Sequence, residues 1–348
     1  MLLRNLLLGL FALFFLVFNV GATTETTPLP QPIQQFIKSV HQQYHFNETE
    51  LTALFRQTHI DQNLIEKMNH PYEEKQWPEY RKFFITQQRI DNGNAFWRQH
   101  QSILQQAEKK YGVPAHLIVA IIGIETGYGQ HIGNYPVLDT LTTLSFYYPR
   151  REQFFRHELT EYLLLTREQK LKPLQLKGSY AGAIGIPQFM PSTYRHYAVD
   201  FSNQGSADLV NDTNDAIFSI ANYLSKMGWK KQQPIAAELN TSVEIDSALI
   251  SDSAKPMHSI KTWQHKGVPV PTSETNLKLK AAIIKLASES PKNNDYWLTY
   301  PNFRTIMLYN PRIHYAMAVY QLSEAIKNAY QQTTITARTS AASARQTG

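Results

Sequence analysis

One segment of the chain is too apolar to lie anywhere except in a protein core. Residues 117–124 read Leu-Ile-Val-Ala-Ile-Ile-Gly-Ile, and a carboxylic acid, Glu125, follows directly. Pro114 is suited to the first turn of a helix, and Gly127 breaks the apolar pattern just after the acid. We therefore predict a buried helix that begins near Pro114 and presents Glu125 where the chain opens onto a surface.

The position of Glu125 has a chemical consequence. Burial disfavours the charged form of an acid and raises its pKa. A glutamic acid with a pKa of roughly 6–7 can deliver a proton near neutral pH, as the general acid of glycosidic bond cleavage must do. The alternative interpretation is structural, with Glu125 capping the helix or pairing within the core.

The amino-terminal segment differs from the rest of the chain. Arg4 precedes an uncharged run of thirteen residues, 6–18, and the small-residue pattern Val20-Gly21-Ala22 follows. This arrangement predicts a signal peptide cleaved after Ala22, because the run is shorter than the ~20 apolar residues of a spanning helix. A membrane anchor is the alternative. The chain has no cysteine to carry a lipid, so we expect a soluble, exported, periplasmic protein with no stable membrane anchor after cleavage.

The charge balance narrows the class of partner. The formal net charge is +6, which favours anionic partners. No dense Lys/Arg run interleaved with aromatic residues appears, so nucleic acid is not an expected partner. A cell-wall polymer that carries carboxylates fits both the charge and the expected export.

Apolar periodicity predicts a mainly α fold with two or three lobes. Helical spacing predicts two short helices within 34–66, and further helices over 93–111, 148–169, 216–227 and 305–330. In the helix over 148–169, Phe154 belongs to the predicted apolar face and Glu161 to the exposed face. Thr and Val alternate with polar residues over 234–300, which predicts a smaller lobe with short strands at 281–286 and 296–300.

A second segment, 178–192, combines small residues with a few polar and aromatic ones. It reads Gly-Ser-Tyr-Ala-Gly-Ala-Ile-Gly-Ile-Pro-Gln-Phe-Met-Pro-Ser. Small residues let the backbone approach a ligand closely. Ser179 and Gln188 supply neutral hydrogen bonds, while Phe189 and Met190 supply an apolar floor, a combination that suits a sugar. A tight helix-packing loop is the alternative interpretation.

Several separate pieces of the chain together resemble the lytic transglycosylase B family of bacterial cell-wall enzymes. They occur in family order between about Tyr80 and about Tyr330, and they are residues 122–126, 144–151, 176–183, 187–192, 221–223, 309–310 and 314–319. The resemblance implies a lysozyme-like helical core with an additional helical lobe and a small strand-containing lobe. It also implies cleavage of the β-1,4 bond between N-acetylmuramic acid and N-acetylglucosamine in peptidoglycan, with 1,6-anhydromuramoyl ends as product.

The resemblance also assigns roles by position. Glu125 matches the family's single catalytic acid/base, Ser179 matches a residue near it, and Tyr80 matches an aromatic at one end of the glycan groove. Arg150 and Arg151 match a basic pair that faces acidic groups of the substrate. The remaining matches line the groove, and they are Gln188, Phe189, Met190, Tyr223, Tyr309, Asn310 and Tyr315.

With this family in view, the predicted domains follow the chain in order. They are a signal peptide over 1–22, an N-terminal helical region over 23–100, a lysozyme-like catalytic core over 101–233, a small mixed lobe over 234–300, a returning helical segment over 301–332 and a disordered tail over 333–348.

The chemistry fits a single acid. A glycosidase normally pairs two carboxylates, and the nearest candidates in sequence are Asp139, Glu158 and Glu161, each expected on a helix surface or at a helix cap. One acid suffices if it protonates the leaving oxygen and then accepts the proton of the C6 hydroxyl, which closes onto C1. A hydrolytic muramidase, or a non-catalytic peptidoglycan-binding protein, remains the alternative.

No metal is required by this chemistry. Residues 200–208 follow the position of a calcium loop known in some family members, with Gly205 at the sixth place of an EF-hand-like turn. Gln204 stands at the fifth place and Asn211 at the twelfth, where carboxylates would be expected, so we predict a metal-free turn. His41 and His45 have metal-ligand spacing but no nearby third ligand, and surface histidines are the expected interpretation.

Overall fold

The computed structural model describes residues 28–69, 75–239, 244–272, 274–288 and 294–346, without the side chains of Asn294 and of 334–346. The predicted signal peptide, residues 1–22, lies outside the described residues. No helix of the part that is described is long and apolar enough to cross a membrane.

The fold is mainly α, as predicted. The helices are α1 Gln31–Tyr44, α2 Glu48–Phe55, α3 Gln62–Asn69, α4 Trp77–Phe84, α5 Gln87–Gln99, α6 Gln101–Tyr111, α7 Ala115–Thr126, α8 Val137–Tyr147, α9 Glu152–Glu168, α10 Pro191–Tyr197, α11 Thr213–Lys226, α12 Ile260–His265, α13 Pro301–Met307 and α14 Ile313–Gln346. The strands are β1 Tyr135–Pro136, β2 Lys177–Gly178, β3 Ala236–Leu239, β4 His258–Ser259, β5 Lys280–Ala287 and β6 Asn294–Thr299.

The chain divides into two compact units after Arg56. In the first, α1 and α2 pack through an edge-to-face contact of Phe36 and Phe55, whose ring centroids are 5.9 Å apart. Asn47 caps α2 by accepting a hydrogen bond from the Glu50 N–H at 3.1 Å. The remaining described residues belong to the second unit, so the division falls inside the region predicted as one N-terminal segment over 23–100.

Helix α7 is the centre of the second unit, and the prediction of a buried helix is confirmed. Every side chain from Leu117 to Ile122 is 0% exposed, and α5, α6, α11 and α14 pack against it. Pro114 is the N-cap residue, one place before the first turn. The helix ends at Gly127, whose φ of +56° is in the left-handed region that favours glycine.

Helices α8, α9 and α10 form a second packed group in this unit. A 3₁₀ turn over Pro149–Arg151 precedes α9, so the α-helix begins later than predicted. Two side-chain predictions for α9 were wrong. Phe154 is 36% exposed and lies at the surface, where Arg151 covers part of its ring with the guanidinium 4.1 Å from the ring centroid. Glu161 is 6% exposed because Arg195 of α10 pairs with it at 2.5 Å.

The small lobe contains a four-stranded antiparallel sheet in the order β3-β6-β5-β4. Strand β5 covers the segment predicted over 281–286, and β6 covers the segment predicted over 296–300 except Tyr300, which is the N-cap residue of α13. One face of the sheet packs with α12 in an apolar core that includes Ile260, Trp263, Ile283, Tyr296 and Leu298.

Several predicted helix boundaries were wrong. His100 separates α5 from α6, where one helix over 93–111 was predicted. Residues 301–330 form α13 and the start of α14, with Pro311 between them. Helix α14 then continues to Gln346 through the tail predicted to be disordered, where Ala, Arg and Gln favour helix.

Candidate active site

Glu125 lies in the last turn of α7, where the burial of this helix gives way to partial exposure. Tyr315, in the first turn of α14, donates a hydrogen bond from its hydroxyl to Glu125 Oε1 at 2.5 Å. Tyr315 itself is 2% exposed. Helices α7 and α14 therefore hold the Glu125 carboxylate in a short hydrogen bond with a hydroxyl donor, in a setting largely shielded from water.

The Tyr315 hydroxyl keeps its proton over the whole neutral range. Burial, together with the nearby Glu125 carboxylate, raises the pKa of Tyr315 well above its ordinary value. The same two causes raise the pKa of Tyr309. Both phenols are therefore hydrogen-bond donors under working conditions, and neither can act as a base near pH 7.

The glycine-rich segment 178–190 folds back on itself beside the end of α7. The N–H of Ile184 donates to the Phe189 carbonyl at 2.8 Å, and the N–H of Phe189 returns the bond at 3.1 Å. Gly185 has a φ of +72°, and a Cβ added there would lie 2.2 Å from the Leu209 carbonyl oxygen. Only glycine fits this position, so the small residues seen in the sequence are required by the turn itself.

Thr126 joins this loop to α7. Its hydroxyl lies 3.1 Å from the Ile186 carbonyl oxygen and accepts a hydrogen bond from the Gly129 N–H at 3.0 Å. The side chain is 1% exposed. Thr126 therefore fixes the loop 178–190 relative to the neighbouring Glu125. Sequence reasoning missed this role, although a threonine directly after the acid was visible in the motif.

Ser179 and Gln188, both predicted to contact the substrate, make hydrogen bonds with the backbone. The Ser179 hydroxyl accepts hydrogen bonds from the N–H groups of Ala181 (3.2 Å) and Ala183 (3.1 Å), which leaves its proton available for donation. Gln188 has a left-handed φ of +51°, and its amide nitrogen donates to the carbonyls of Gly185 (2.8 Å) and Ile132 (3.1 Å). Both residues therefore stabilise the loop that they belong to.

A cluster of aromatic rings connects the loop to the carboxyl-terminal helices. The Phe189 ring centroid lies 5.7 Å from those of Tyr223 and Tyr309. The Tyr309 ring in turn stacks with Tyr315 at 6.3 Å and 14°. Tyr309 donates to the Pro187 carbonyl at 2.5 Å, and Tyr223 donates to the Leu308 carbonyl at 2.6 Å. Tyr309 and Tyr315 thus form a continuous aromatic surface from the loop to Glu125.

The remaining residues predicted to bind the glycan are Tyr80, Met190 and Asn310. Tyr80 is 1% exposed, and its ring packs against those of Phe84 (4.7 Å) and His314 (5.8 Å). Met190 is the N-cap residue of α10, and the carbonyl of Asn310 accepts a hydrogen bond from the Arg312 N–H at 2.7 Å.

The basic pair lies on the exposed 3₁₀ turn before α9. Arg150 donates to the Asn69 side chain at 3.5 Å, and Arg151 stacks on Phe154. The structure places both arginines at the surface, and their described contacts are with α3 and α9.

The three carboxylates considered as partners for Glu125 are engaged elsewhere. Glu158 accepts hydrogen bonds from the Ser192 N–H (2.9 Å) and hydroxyl (2.7 Å), and so caps α10. Glu161 pairs with Arg195. Asp139 lies 3.7 Å from His59, and burial raises the pKa of its carboxyl. Each therefore has a structural function in the surrounding helices.

The loop over 200–208 does not fit a calcium ion. Asp200 accepts hydrogen bonds from the N–H groups of Gln204 and Gly205, and Asp208 accepts them from Val210 and Asn211. The fifth and twelfth places carry neutral amides. Among the described residues no group of three His, Cys, Asp or Glu side chains is arranged to hold a metal. The carboxylates close the turn through backbone bonds, and we derive no chemistry from a metal.

A lysozyme-like helical core with one carboxylate at the end of a buried helix defines an enzyme that cleaves glycans. The family model described as a transglycosylase SLT domain matches residues 29–324 of this chain. The protein belongs to this transglycosylase family.

Individual relatives agree with this assignment. The chain is 38% identical over 303 residues to membrane-bound lytic murein transglycosylase B of Escherichia coli K12, covering 84% of this chain and 82% of that protein. Soluble lytic transglycosylase SltB1 of Pseudomonas aeruginosa superposes with a TM-score of 0.79 at 40% identity, covering 86% of this chain and 99% of that one. Escherichia coli Slt35 in complex with calcium superposes with a TM-score of 0.77 at 38% identity, covering 86% and 94%.

The hydroxyl of Thr126 is the first testable feature of this site. Thr126→Val keeps the shape of the side chain but leaves the buried Ile186 carbonyl and the Gly129 N–H without this partner. We expect the free energy of unfolding to fall by about 1–3 kcal/mol. Turnover of peptidoglycan should also fall, because the loop is no longer fixed relative to Glu125. Chemical denaturation and a turbidity assay measure the two effects. Thr126→Ser should restore both, and a Val variant with unchanged stability would contradict the assigned role.

Proposed function

We propose that Glu125 is the single acid/base with which this lytic transglycosylase cleaves peptidoglycan. The bond is the β-1,4 linkage between N-acetylmuramic acid and N-acetylglucosamine, and the product carries a 1,6-anhydromuramoyl end. The observation that carries the proposal is the placement of Glu125, at the end of the buried helix α7 with the Tyr315 hydroxyl 2.5 Å from its carboxylate. The Pseudomonas aeruginosa relative SltB3, 30% identical, forms complexes with NAG-NAM-pentapeptide and NAG-anhNAM-pentapeptide.

The reaction uses Glu125 twice. As a carboxylic acid it protonates the oxygen that leaves with N-acetylglucosamine, and the muramoyl N-acetyl group stabilises the positive charge that develops at C1. The resulting carboxylate then accepts the proton of the C6 hydroxyl as this oxygen bonds to C1. Glu125 ends the cycle protonated, so no water is consumed and no second carboxylate is needed.

Tyr315 balances the two protonation states of Glu125. Its O–H group donates a hydrogen bond that stabilises the carboxylate form. The carboxylate that forms after the first step therefore has a donor already in place, and no reorganisation is required at that moment.

The surrounding residues supply the contacts of a glycan site. The hydroxyl of Ser179 retains a proton to donate, and the packed rings of Tyr223, Tyr309 and Tyr315 support the site from behind Glu125. Arg150 and Arg151 are exposed cations, and we assign them to carboxylates of the lactyl group or peptide stem.

The location follows from the sequence. We propose export to the periplasm by the predicted signal peptide over residues 1–22, where the enzyme acts on the glycan strands. The Escherichia coli relative is membrane-bound by name and the Pseudomonas aeruginosa relative SltB1 is named soluble. The absence of cysteine from this chain supports a form without a lipid anchor.

The product distinguishes this reaction from hydrolysis. Digestion of purified peptidoglycan should yield anhydromuropeptides, each lighter by one water than the corresponding hydrolytic product, because the C6 hydroxyl and not water attacks C1. Mass spectrometry of the separated muropeptides measures this directly. Reducing muramic acid ends as the main product would instead identify a muramidase.

The identity of the acid can be tested by Glu125→Gln. This change keeps size and polarity and removes the exchangeable proton, so turnover should fall at least ~10²–10⁴-fold. Stability should be retained, because a neutral amide removes the cost of a buried charge. Glu66→Gln, which alters an exposed carboxylate of α3, is the matched control. A folded Gln variant with near-full turnover would refute the central assignment.

The contribution of Tyr315 can be measured from the pH dependence of kcat/KM. Tyr315→Phe removes a donor that stabilises the Glu125 carboxylate, so the acid form of Glu125 should be favoured more than in the parent. The acid form then persists to higher pH, and the alkaline limb of kcat/KM should shift upward while the maximal rate falls. Tyr320→Phe, on the same helix, should leave the profile in place. An unshifted alkaline limb in Tyr315→Phe would show that this bond does not tune the acid.

A further inference from the structure

A cavity apart from the Glu125 site lies beside β2. Its volume is about 520 Å³, within the range of roughly 300–1,000 Å³ that small-molecule sites commonly have. Parts of three segments line it, 132–134, 171–177 and 206–211, together with Tyr194 of α10. None of the residues assigned to the glycan site is among the described residues of this lining, so no step of the proposed reaction uses the cavity.

The walls of this cavity are connected to the glycine-rich loop of the active site. The Gln188 side chain donates a hydrogen bond to the Ile132 carbonyl at 3.1 Å. The Ile186 N–H donates to the Leu209 carbonyl of another wall at 2.7 Å. The third wall ends at Lys177, from which the chain enters the loop directly. The cavity therefore has a fixed position relative to this loop.

Hydrogen-bond donors without a protein partner make up much of the polar lining. Lys172 and Lys177 are exposed, and their ammonium groups form no ion pair or hydrogen bond with any described residue. The side-chain amides of Asn134 and Gln175 likewise have no hydrogen bond within the described ranges. An ammonium group has three donors and no acceptor, so the two lysines favour a ligand that carries acceptor oxygens.

The carboxylate in the lining is already engaged by its own turn. Asp208 accepts hydrogen bonds from the N–H groups of Val210 and Asn211, each at 2.9 Å, and from the Asn211 side chain at 2.9 Å. Two lysines and this aspartate give the described lining a net charge of +1 (2 − 1). Because neither lysine is paired with Asp208, both ammonium groups remain available, and an anionic ligand matches the cavity.

The apolar part of the lining indicates a short peptide and not a sugar. Tyr194, the aromatic residue of the described lining, is 2% exposed, so no ring face is open to a sugar ring. The other apolar surface is aliphatic and suits small aliphatic side chains of a ligand. The free amides can pair with peptide groups, since each amide carries both donors and an acceptor. The aliphatic residues of the lining are Ile132, Leu171, Leu176 and Val210.

The cavity is distant from the basic pair that the proposed function assigns to carboxylates. Arg151 precedes α9, and Lys172 follows it. This helix has 17 residues, so its ends are about 25 Å apart at roughly 1.5 Å per residue. One carboxylate cannot reach both places, and the cavity therefore requires an anionic group of its own.

We propose that this cavity binds a short acidic peptide, with its carboxylates on Lys172 and Lys177 and its peptide groups on Asn134 and Gln175. The proposal rests on the proposed function in one respect, because it takes the peptides of peptidoglycan as the source of this chemistry. The peptide either belongs to the strand that is being cleaved or has been released from the wall. Binding itself does not depend on Glu125.

Calorimetric titration of the full chain with N-acetyl-alanyl-glutamate, which has two carboxylates and no ammonium group, tests the site. This peptide should bind, and N-acetyl-alanyl-glutamine amide, which has no carboxylate, should bind at least about tenfold more weakly. Lys172→Gln and Lys177→Gln should each weaken binding of the acidic peptide about tenfold or more, the effect of one hydrogen bond to a charged group. Both side chains are exposed, so the variants should keep the melting temperature of the parent.

Two control variants complete the test. Lys170→Gln removes the same charge from an exposed residue close in the chain but outside the cavity lining, and it should bind the acidic peptide like the parent. Glu125→Gln should also bind like the parent, so a failure of the catalytic proposal is distinguishable from a failure of this one. Unchanged affinity in both Lys172→Gln and Lys177→Gln, or no heat from the acidic peptide at millimolar concentration, would overturn the proposal.

The source of the peptide is decided by the kinetics of Lys172→Gln on soluble glycan strands with and without their peptides. A KM raised about tenfold for peptide-bearing strands, and unchanged for stripped strands, identifies the peptide of the strand that is being cleaved. A KM equal to that of the parent on both, with the acidic peptide bound in calorimetry, identifies a released peptide. A KM raised equally on both would show that Lys172 binds the glycan itself and would overturn the proposal.

Discussion

The packing of α7 against α14 is the interaction on which the active site depends. Six consecutive side chains of α7, from Leu117 to Ile122, are completely buried, and each large aliphatic side chain contributes roughly 1.5–3 kcal/mol on burial. This apolar contact keeps the two helices in one register, which brings Tyr315 within 2.5 Å of Glu125. A carboxyl group held in such a place would be costly if it had no partner. The tyrosine hydroxyl offsets that cost.

The loop over 178–190 depends on a second constraint, the backbone geometry of its glycines. At Gly185 a side chain would collide with the Leu209 carbonyl, and at Gly182 with the side chain of Leu141. The loop therefore closes tightly and presents its own N–H groups to the hydroxyl of Ser179 and the carbonyl of Phe189. Glu158, buried in α9, caps the helix that follows. Helix α7, the loop over 178–190 and α10 therefore form one connected framework. Within it, Thr126 connects the loop to the end of α7, next to Glu125.

Several charged groups outside this framework also have partners within the protein. The aspartates of the loop over 200–208 accept hydrogen bonds from backbone N–H groups and so close the turn. Glu161 and Glu168 share Arg195.

The sequence by itself determined the buried helix, the acid at its end, the glycine loop and two of the four strands of the small lobe, because periodicity and turn chemistry are local properties. It also determined the family, since motifs at seven places along the chain agree in order. Only the tertiary structure decided which side chains meet across long separations. Tyr315 stands 190 residues from Glu125 in the chain, and no local pattern distinguishes it from the other buried tyrosines. Glu161 reads as an exposed residue until α10 brings Arg195 against it, and Phe154 reads as core until an arginine stacks on its open face. Pairing of this kind depends on how the helices pack, and packing is a property of the whole folded chain.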